Sequence, residues 1–339
     1  MFTNASPFAA LGVPYIAPDG REVVVAVVKA TFRRARDGRL RRADAQVPVR
    51  VADVMYDPEG PSHEGAAGAA PETSVRYPSE IGTEKRGADV GVVGEAIAKN
   101  KATVVDVVVQ VRERKAPLRV HGARVYYSSL GKIAVSPAAS FERKRIVYEH
   151  AYGGSTADFT VVERRNPVGL GVAKSRADLV DEPAPSIEHP AHPITSASDT
   201  PEPAGYGAIS SHWAPRSTFA GTFDDAWRAT RMPLMPLDFD ARYFNVAHPS
   251  LQFEEGLAAR DPIAILGMTP EGLWQVELPA LPIVVRGKLD DGRTIEHRPA
   301  VDLVLVEPGD DRLELSAPCS LPKGRGRTLL REIQVDVDG

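Results

Sequence analysis

The sequence is short of the features that mark several large classes of protein. Its 339 residues contain one cysteine, Cys319, so no disulfide can form within the chain, which is typical of a reducing compartment. No stretch approaches the roughly 18 apolar residues of a membrane-spanning helix. The N-terminus lacks the basic start and apolar run of a secretory signal peptide. The sequence therefore predicts a cytoplasmic protein that does not enter the membrane.

The chain also lacks a strong charge of either sign. Its formal net charge of -4 creates no overall field that would attract nucleic acid or an anionic membrane. Arginine is concentrated at 33–42, where six of ten residues are arginines around Asp37-Gly38. We interpret this stretch as a solvated hairpin end, with contact to an acidic partner as the alternative. No known nucleic-acid-binding motif accompanies it.

Motifs for catalysis and for metal binding are missing as well. There is no G-x-S-x-G nucleophile elbow and no phosphate-binding P-loop. Only His189 and His192 lie close together among the eight histidines, and Pro190 and Pro193 exclude the helix that would align them on one metal. Cys319 has no nucleophile signature and is interpreted as a small core residue. The residues alone therefore carry no signature of a nucleophile or a phosphate-binding loop, and we expect no metal.

Strand patterns and turn residues are abundant. Residues 22–32 are apolar on both faces, as in a buried strand, and 103–112 alternate between valines and polar residues. Asp37-Gly38 indicates a hairpin turn. Short strands resume after 262, separated by Gly- and Pro-containing turns. The predicted fold is mainly β, with two sheet-containing, sandwich- or barrel-like halves at 1–152 and 262–339.

An irregular segment at 153–261 joins these halves. Twelve prolines fall between Pro167 and Pro262, which excludes long regular elements, yet aromatic residues are frequent enough to predict an ordered, wrapping segment. It contains one short helix candidate at 223–231, capped by Asp224 and ended by Pro233. Elsewhere, we expect a Pro- and Gly-rich surface loop at 57–80 and a strand near 145–149.

Short blocks of sequence occur in a specific order along the chain. They are KATF (29–32), AYGG (151–154), NPVG (166–169), SIEHP (186–190), PEPAGYGAISSHWAPR (201–216), GTFDDAW (221–227), MPLMPLDFDARYFNVAHPSLQ (232–252) and LP (278–279). In this order they resemble a bacterial family of unknown-function domains encoded in type VI secretion loci, beside PAAR-like spike-tip proteins and their toxic effectors. The resemblance covers roughly residues 8–337. It implies a cytoplasmic adaptor or chaperone that binds a PAAR-like effector and helps load it onto the spike tip, without enzymatic activity or a cofactor.

Six residues of these blocks are candidates for partner binding. Trp, Tyr and Arg are the usual anchors of protein interfaces. A structural interpretation stands beside this one, because an irregular segment needs fixed aromatic and Asp positions to satisfy its own backbone. An exposed strand edge that pairs with a peptide of the effector is a second possible mode of docking. The candidates are Trp213, Arg216, Trp227, Asp238, Asp240 and Tyr243.

Two other functions stay open. The protein could be a carbohydrate- or peptidoglycan-acting enzyme with Asp238 or Asp240 as acid or base, although carboxylates at i and i+2 of an extended segment point to opposite faces. It could also be a structural component of the secretion apparatus. The adaptor function is the one that we expect.

Overall fold

The computed structural model describes residues 1–57, 73–82, 85–325 and 328–338. Strands account for 44% of the described residues and helices for 9%, so the fold is mainly β as predicted. Most of the predicted surface loop, residues 58–72, lies outside the described residues. Three larger sheets carry the architecture, and each is open, with two distinct edge strands.

The largest sheet, called the long sheet below, is built around the strand Glu22–Arg34. Every residue of this strand from Val25 to Phe32 is buried, and only its ends reach the solvent. Both faces are therefore buried, as the sequence predicts. A turn at Asp37-Gly38 leads into its short hairpin partner, which confirms the predicted hairpin. In spatial order the strands are Gln252–Phe253, Ala88–Val92, Leu303–Glu307, Arg312–Pro322, Glu22–Arg34 and Ala9–Ile16, with Leu40–Arg42 beside the end of Glu22–Arg34.

The second sheet, called the central sheet, contains the valine-rich strand Val104–Val111. Val107, Val109 and Val111 are fully buried while Asp106 is exposed, so the predicted alternation is confirmed. The main hydrophobic core joins side chains of the central sheet to side chains of the long sheet. In spatial order the strands are Ile187–Glu188, Arg114–His121, Val104–Val111, Pro262–Leu266 and Leu273–Glu277.

The third sheet, called the terminal sheet, brings the two ends of the chain together. Phe2–Asn4 pairs in parallel with Thr328–Val337. A second core lies between this sheet and the long sheet. In spatial order the strands are Phe2–Asn4, Thr328–Val337, Ile283–Leu289 and Thr294–His297, with Gly324–Arg325 beside Thr328–Val337.

Shorter elements complete the described part of the chain. The small sheets are Lys132–Val135 with Arg124–Ser129 and Pro183–Ala184, Phe141–Arg145 with Glu95–Ala102, Tyr152–Gly153 with Leu170–Gly171, and Val54–Met55 with Val75–Tyr77. The 3₁₀ helices are Tyr148–His150, Arg176–Leu179, Arg216–Ala220, Ala241–Phe244, Pro249–Leu251 and Pro308–Asp310. The one α-helix among the described residues, α1, is Asp225–Thr230.

The two β-rich stretches of the sequence interleave. Glu22–Arg34 pairs with Arg312–Pro322 along their shared length, and Val104–Val111 pairs with Pro262–Leu266. The long and central sheets therefore each contain strands from both stretches. The segment at 153–261 supplies only two-residue strands, 3₁₀ helices and α1, in keeping with its prolines.

The expected strand near 145–149 is wrong. The strand in this region is Phe141–Arg145, and a 3₁₀ helix, Tyr148–His150, follows it. Tyr148 is fully buried, and the amide of Ala151 donates to its carbonyl, which turns the chain at this point. Burial of one aromatic ring against distant residues thus sets the local backbone here, which periodicity cannot reveal.

Candidate functional site

The AYGG and NPVG blocks meet in space. Tyr152–Gly153 pairs in parallel with Leu170–Gly171, and the fully buried Asn166 holds the junction. Its side-chain amide donates to the carbonyls of Tyr148 at 2.8 Å and Tyr152 at 3.0 Å. A Cβ atom at Gly153 would lie 2.2 Å from the Asn166 carbonyl oxygen, so only glycine fits. These blocks are accounted for by structure.

Two of the six candidate residues lie in the interior. Trp213 is 0% exposed, and its ring packs edge-on against Tyr148 with centroids 5.8 Å apart. The guanidinium of Arg216 donates to the carbonyls of Tyr243 at 3.0 Å and Ile209 at 2.5 Å. Burial lowers the pKa of Arg216. Neither side chain is available to a partner in this conformation, so both serve the internal packing.

A hydrogen-bonded network ties the same segment to the long sheet. The side-chain amide of Asn245 donates to the carboxylate of Asp89 at 2.9 Å, and the ammonium of Lys85 lies 3.0 Å from that carboxylate. Asp89 is fully buried, so it depends on these donors to compensate its lost hydration. The network fixes where the chain leaves the region around α1.

The predicted helix is confirmed, with bounds at Asp225–Thr230. The Asp224 side chain accepts a hydrogen bond from the amide of Trp227 at 2.7 Å, which is the predicted N-cap. Trp227 is half-buried; its indole nitrogen donates to the carbonyl of Leu234 at 2.9 Å. Its ring meets that of Phe223 edge-on at 4.8 Å. The helix and the turn after it therefore form one packed unit.

Asp238 and Asp240 stabilise the loop that returns from α1. Asp238 accepts from the amide of Thr222 at 3.0 Å and from its hydroxyl at 2.8 Å. Asp240 accepts from the backbone amide of Arg242 and, at 2.7 Å, from its guanidinium. These hydrogen bonds hold the pKa of Asp238 below its usual range and lower that of Asp240 to about 2. Both carboxyls are thus ionised at neutral pH.

Tyr243, the last candidate, belongs to a cluster of three aromatic rings. Its ring lies 5.7 Å from both Phe239 and Phe244 and is half-buried. The guanidinium of Arg216 stands 5.5 Å from the Tyr243 ring centroid. The cluster links the α1 region to the interior and leaves only part of Tyr243 exposed.

The same region carries large apolar side chains that the solvent reaches. Leu237 is 88% exposed, Met232 61% and Phe223 50%. Thr222 and Asp238 are hydrogen-bonded to each other, and Phe223 and Leu237 are the residues next to them in the sequence. The amide of Met232 donates to the carbonyl of Trp227. We call Phe223, Trp227, Met232 and Leu237 the α1 surface.

The α1 surface is anchored to the rest of the molecule by polar and apolar contacts. Arg231 donates to the carbonyls of Met235 at 2.9 Å and Pro18 at 3.1 Å. Leu234 packs over Gly20, where a Cβ atom would lie 2.9 Å from the leucine side chain. The exposed side chains therefore project from a fixed platform rather than from a free loop.

Sequence reasoning missed the exposed members of the α1 surface. Leu237, Met232 and Phe223 look like ordinary packing residues, because an irregular segment has no period from which a buried face can be read. The one available signal is the position of Met232 next to Pro233 and of Leu237 next to Pro236, since these prolines confine the backbone of a short segment. Phe223 has no such signal.

Other chemistry is sparse in the described part of the chain. No group of three or more His, Cys, Asp or Glu side chains is arranged to hold a metal ion there. Burial raises the pKa of the Cys319 thiol to about 12, so this thiol stays protonated and weakly nucleophilic. No helix within the described ranges is long and apolar enough to cross a membrane.

The chain is a mainly β protein in which an aromatic- and proline-rich segment carries an exposed apolar surface, the α1 surface. The chain belongs to DUF2169, a family of uncharacterised proteins conserved in bacteria, whose model matches residues 19–317. No curated protein and no solved structure matches the chain.

Proposed function

We propose that the protein is a non-enzymatic adaptor, or chaperone, that binds a PAAR-like type VI secretion effector in the producing cell and aids its loading on the spike tip. The identity of the partner rests on the resemblance carried by the ordered sequence blocks. The observation that supports a binding role is the α1 surface, where Leu237, Met232 and Phe223 are exposed on an anchored platform.

The physical argument concerns apolar surface that folding leaves unused. Full burial of a Leu, Met or Phe side chain contributes about 1.5–3 kcal/mol, and this free energy stays available to a partner. A platform that is already ordered loses little conformational entropy on binding. Aromatic residues and Met are enriched in protein interfaces, and Phe223, Trp227 and Met232 belong to the α1 surface. The α1 surface combines these properties within residues 221–239.

The test is co-expression with the PAAR-like protein encoded nearest to this chain. A tag on this chain is used to isolate the complex, and size exclusion measures its stability. We expect a stable complex, and we expect Leu237→Ser together with Met232→Ser to weaken it by about tenfold or more. Leu130→Ser is the matched control, because Leu130 is 102% exposed but lies in the hairpin at 124–135.

The outcomes separate the role from the surface. Absence of a complex, with both proteins soluble and folded, would overturn the adaptor proposal. A complex that the α1 variant and the Leu130 variant bind equally well would keep the adaptor role and reject this surface. Release of this chain from the cell together with the spike would instead favour a structural component of the apparatus.

The alternative of a carbohydrate- or peptidoglycan-acting enzyme gains no support from Asp238 and Asp240. A general acid needs a raised pKa, whereas hydrogen bonds lower the pKa of both carboxyls. Asp240 is also paired with Arg242 at 2.7 Å. Their contacts suit loop stabilisation better than proton transfer.

A further inference from the structure

A cavity of about 550 Å³ lies beside the central sheet, and none of the residues of the α1 surface lines it. The strand Arg114–His121 forms one wall through Lys115 and Leu118, and the loops around His189, Tyr206 and His248 form the others. A cavity of this size falls within the range that binds small ligands in proteins, roughly 300–1,000 Å³.

The deep part of the cavity is apolar. Ala116, Leu118, Ala204 and Tyr206 are each at most 5% exposed. The Tyr206 hydroxyl lies 2.6 Å from the carbonyl oxygen of Ala116, to which it donates, so its polar atom is already used within the fold. Prolines form much of the remaining lining, and their nitrogens cannot donate hydrogen bonds. This part of the cavity suits an apolar ligand body.

The side chains at the rim are hydrogen-bond donors. Nδ1 of His189 accepts from the amide of Ala191 at 3.2 Å, so in the neutral ring the proton is on Nε2, which has no acceptor among the described residues. The ring of His192 lies 5.6 Å from that of His189, and Lys115 adds an ammonium without an ion pair among the described residues.

The remaining polar groups of the rim do not cancel these donors. Nδ1 of His248 accepts from the amide of Ser250 at 3.3 Å, and burial lowers the pKa of His248, so this ring stays neutral. The carboxylate of Glu202 also lines the cavity and acts on His248 through its charge, but it is 86% exposed, and therefore well hydrated, and lies 4.0 Å from Arg165. The balance of the rim therefore favours a ligand that accepts hydrogen bonds.

We propose that this cavity binds the carboxylate of a ligand whose apolar body enters the pocket. His189, His192 and Lys115 bind the carboxylate, while Leu118 and Tyr206 contact the body. Hydrogen bonds from such donors to an ionised acceptor are roughly twice as strong as neutral ones, which selects an acid over its amide. The carboxylate belongs either to a free organic acid or to the C-terminus of a peptide.

The test uses benzoate as the probe and benzamide as its neutral counterpart. Both are titrated into the full chain while carbon–proton NMR spectra of its histidine rings are recorded. We expect benzoate to shift the His189 and His192 signals with saturation and benzamide to bind about tenfold more weakly. His189→Ala should weaken benzoate binding by a similar factor. His297→Ala, in the terminal sheet, is the matched control and should leave it unchanged.

A second arm separates the two sources of the carboxylate. An acetylated dipeptide that ends in phenylalanine with a free carboxylate is compared with its C-terminal amide. Tighter binding of the peptide acid than of benzoate assigns the site to a peptide terminus, and binding no tighter than benzoate assigns it to a free acid. Equal binding of benzoate and benzamide, or shifts that never saturate, would overturn the proposal. This comparison uses the unmodified chain and does not depend on the folding of a variant.

Discussion

The long sheet and the segment at 153–261 satisfy their backbone hydrogen-bonding groups in different ways. In the long sheet, backbone groups are paired by the ladder between neighbouring strands, and the side chains are free to build a core. In the segment, single side chains replace the ladder, as Asn166, Arg216 and Asp240 do when they bond backbone groups. Ordered irregular structure thus depends on a few particular residues, whereas a sheet spreads the same task over many.

The long sheet nevertheless contains one polar weak point. Lys29 is fully buried, with its ammonium 2.9 Å from Glu80 and 3.0 Å from Glu314. Arg50 lies 2.7 Å and Arg312 3.3 Å from Glu314, so three cations and two anions meet at this site. Hydrogen bonds from Arg50 and the charge of Lys29 keep the pKa of Glu314 below its usual value despite its burial.

Of the changes considered, removal of the Lys29 charge should lower the free energy of unfolding the most. Lys29→Met removes the fully buried cation between the Glu80 and Glu314 carboxylates, so that only the less buried Arg50 and Arg312 remain paired with them. This variant should lower the free energy of unfolding by about 3–5 kcal/mol. Lys323→Met is the control, since its pair with Glu22 is exposed and is worth about 0–1 kcal/mol. Urea denaturation measures both, and similar losses in the two variants would contradict the buried-network argument.

Removal of the buried tryptophan should come next. Trp213→Ala deletes the ring that packs against Tyr148 and should cost about 3 kcal/mol. The loss should sit at the lower end for a buried aromatic, because a segment without a ladder can relax into the space. Trp227→Ala, at a half-buried ring, should cost less. An equal or larger loss for Trp227 in urea denaturation would show that the α1 region, rather than the Trp213 site, is the better packed.

The next prediction concerns the pH dependence of stability and Asp302, which directly precedes the strand Leu303–Glu307 of the long sheet. Burial, together with repulsion by Asp89 and Glu80, raises the pKa of Asp302 to about 6. A folded-state pKa above the unfolded value means that the contribution to stability is present at low pH and is lost as pH rises through about 6. Asp302→Asn should therefore raise the free energy of unfolding at pH 8 by about 1–2 kcal/mol and change it little at pH 4.

The control for that prediction has the opposite sign. Asp338 accepts a hydrogen bond from Arg298, which lowers the pKa of its carboxyl. The contribution of Asp338 to stability is therefore present at neutral pH and is lost as pH falls through the folded-state pKa. Asp338→Asn should not stabilise the protein at pH 8. If both variants respond to pH alike, the cluster around Asp302 does not govern the titration.

The smallest expected effect is at the cap of α1. Asp224→Ala removes the acceptor for the amide of Trp227 and should cost about 1 kcal/mol. Asp224→Asn keeps an acceptor oxygen and should cost less. The helical signal is small in a protein of this class, so the free energy of unfolding is the measurement. A loss above that of Trp213→Ala would make the cap, and not the interior ring, the organising contact of the segment.

Local features of the fold were predictable because their causes are local. The strand at 22–32, the turn at Asp37-Gly38 and the Asp224 cap each depend on a few neighbouring residues. The pairing of Glu22–Arg34 with Arg312–Pro322 depends on residues far apart in the chain, which no periodicity encodes.

The candidate site was predictable only in part, for the same reason. Trp227, Asp238 and Asp240 do lie around α1. Trp213 is internal because Tyr148 receives it, and Leu237 is exposed because nothing distant covers it among the described residues. Both facts follow from long-range packing rather than from residue type. The pocket at His189 and His248 likewise joins loops from separate parts of the sequence.

The pairing of strands in the long sheet also determines how long one strand stays unpaired during translation. One edge of Glu22–Arg34 is completed by Arg312–Pro322, so it must wait while the ribosome translates from residue 34 to residue 312. At about 5–20 residues per second, this takes roughly 15–60 s. During that time a valine-rich strand edge stays open to any other extended chain. The nascent protein therefore depends on whatever shields that edge until its last strands emerge.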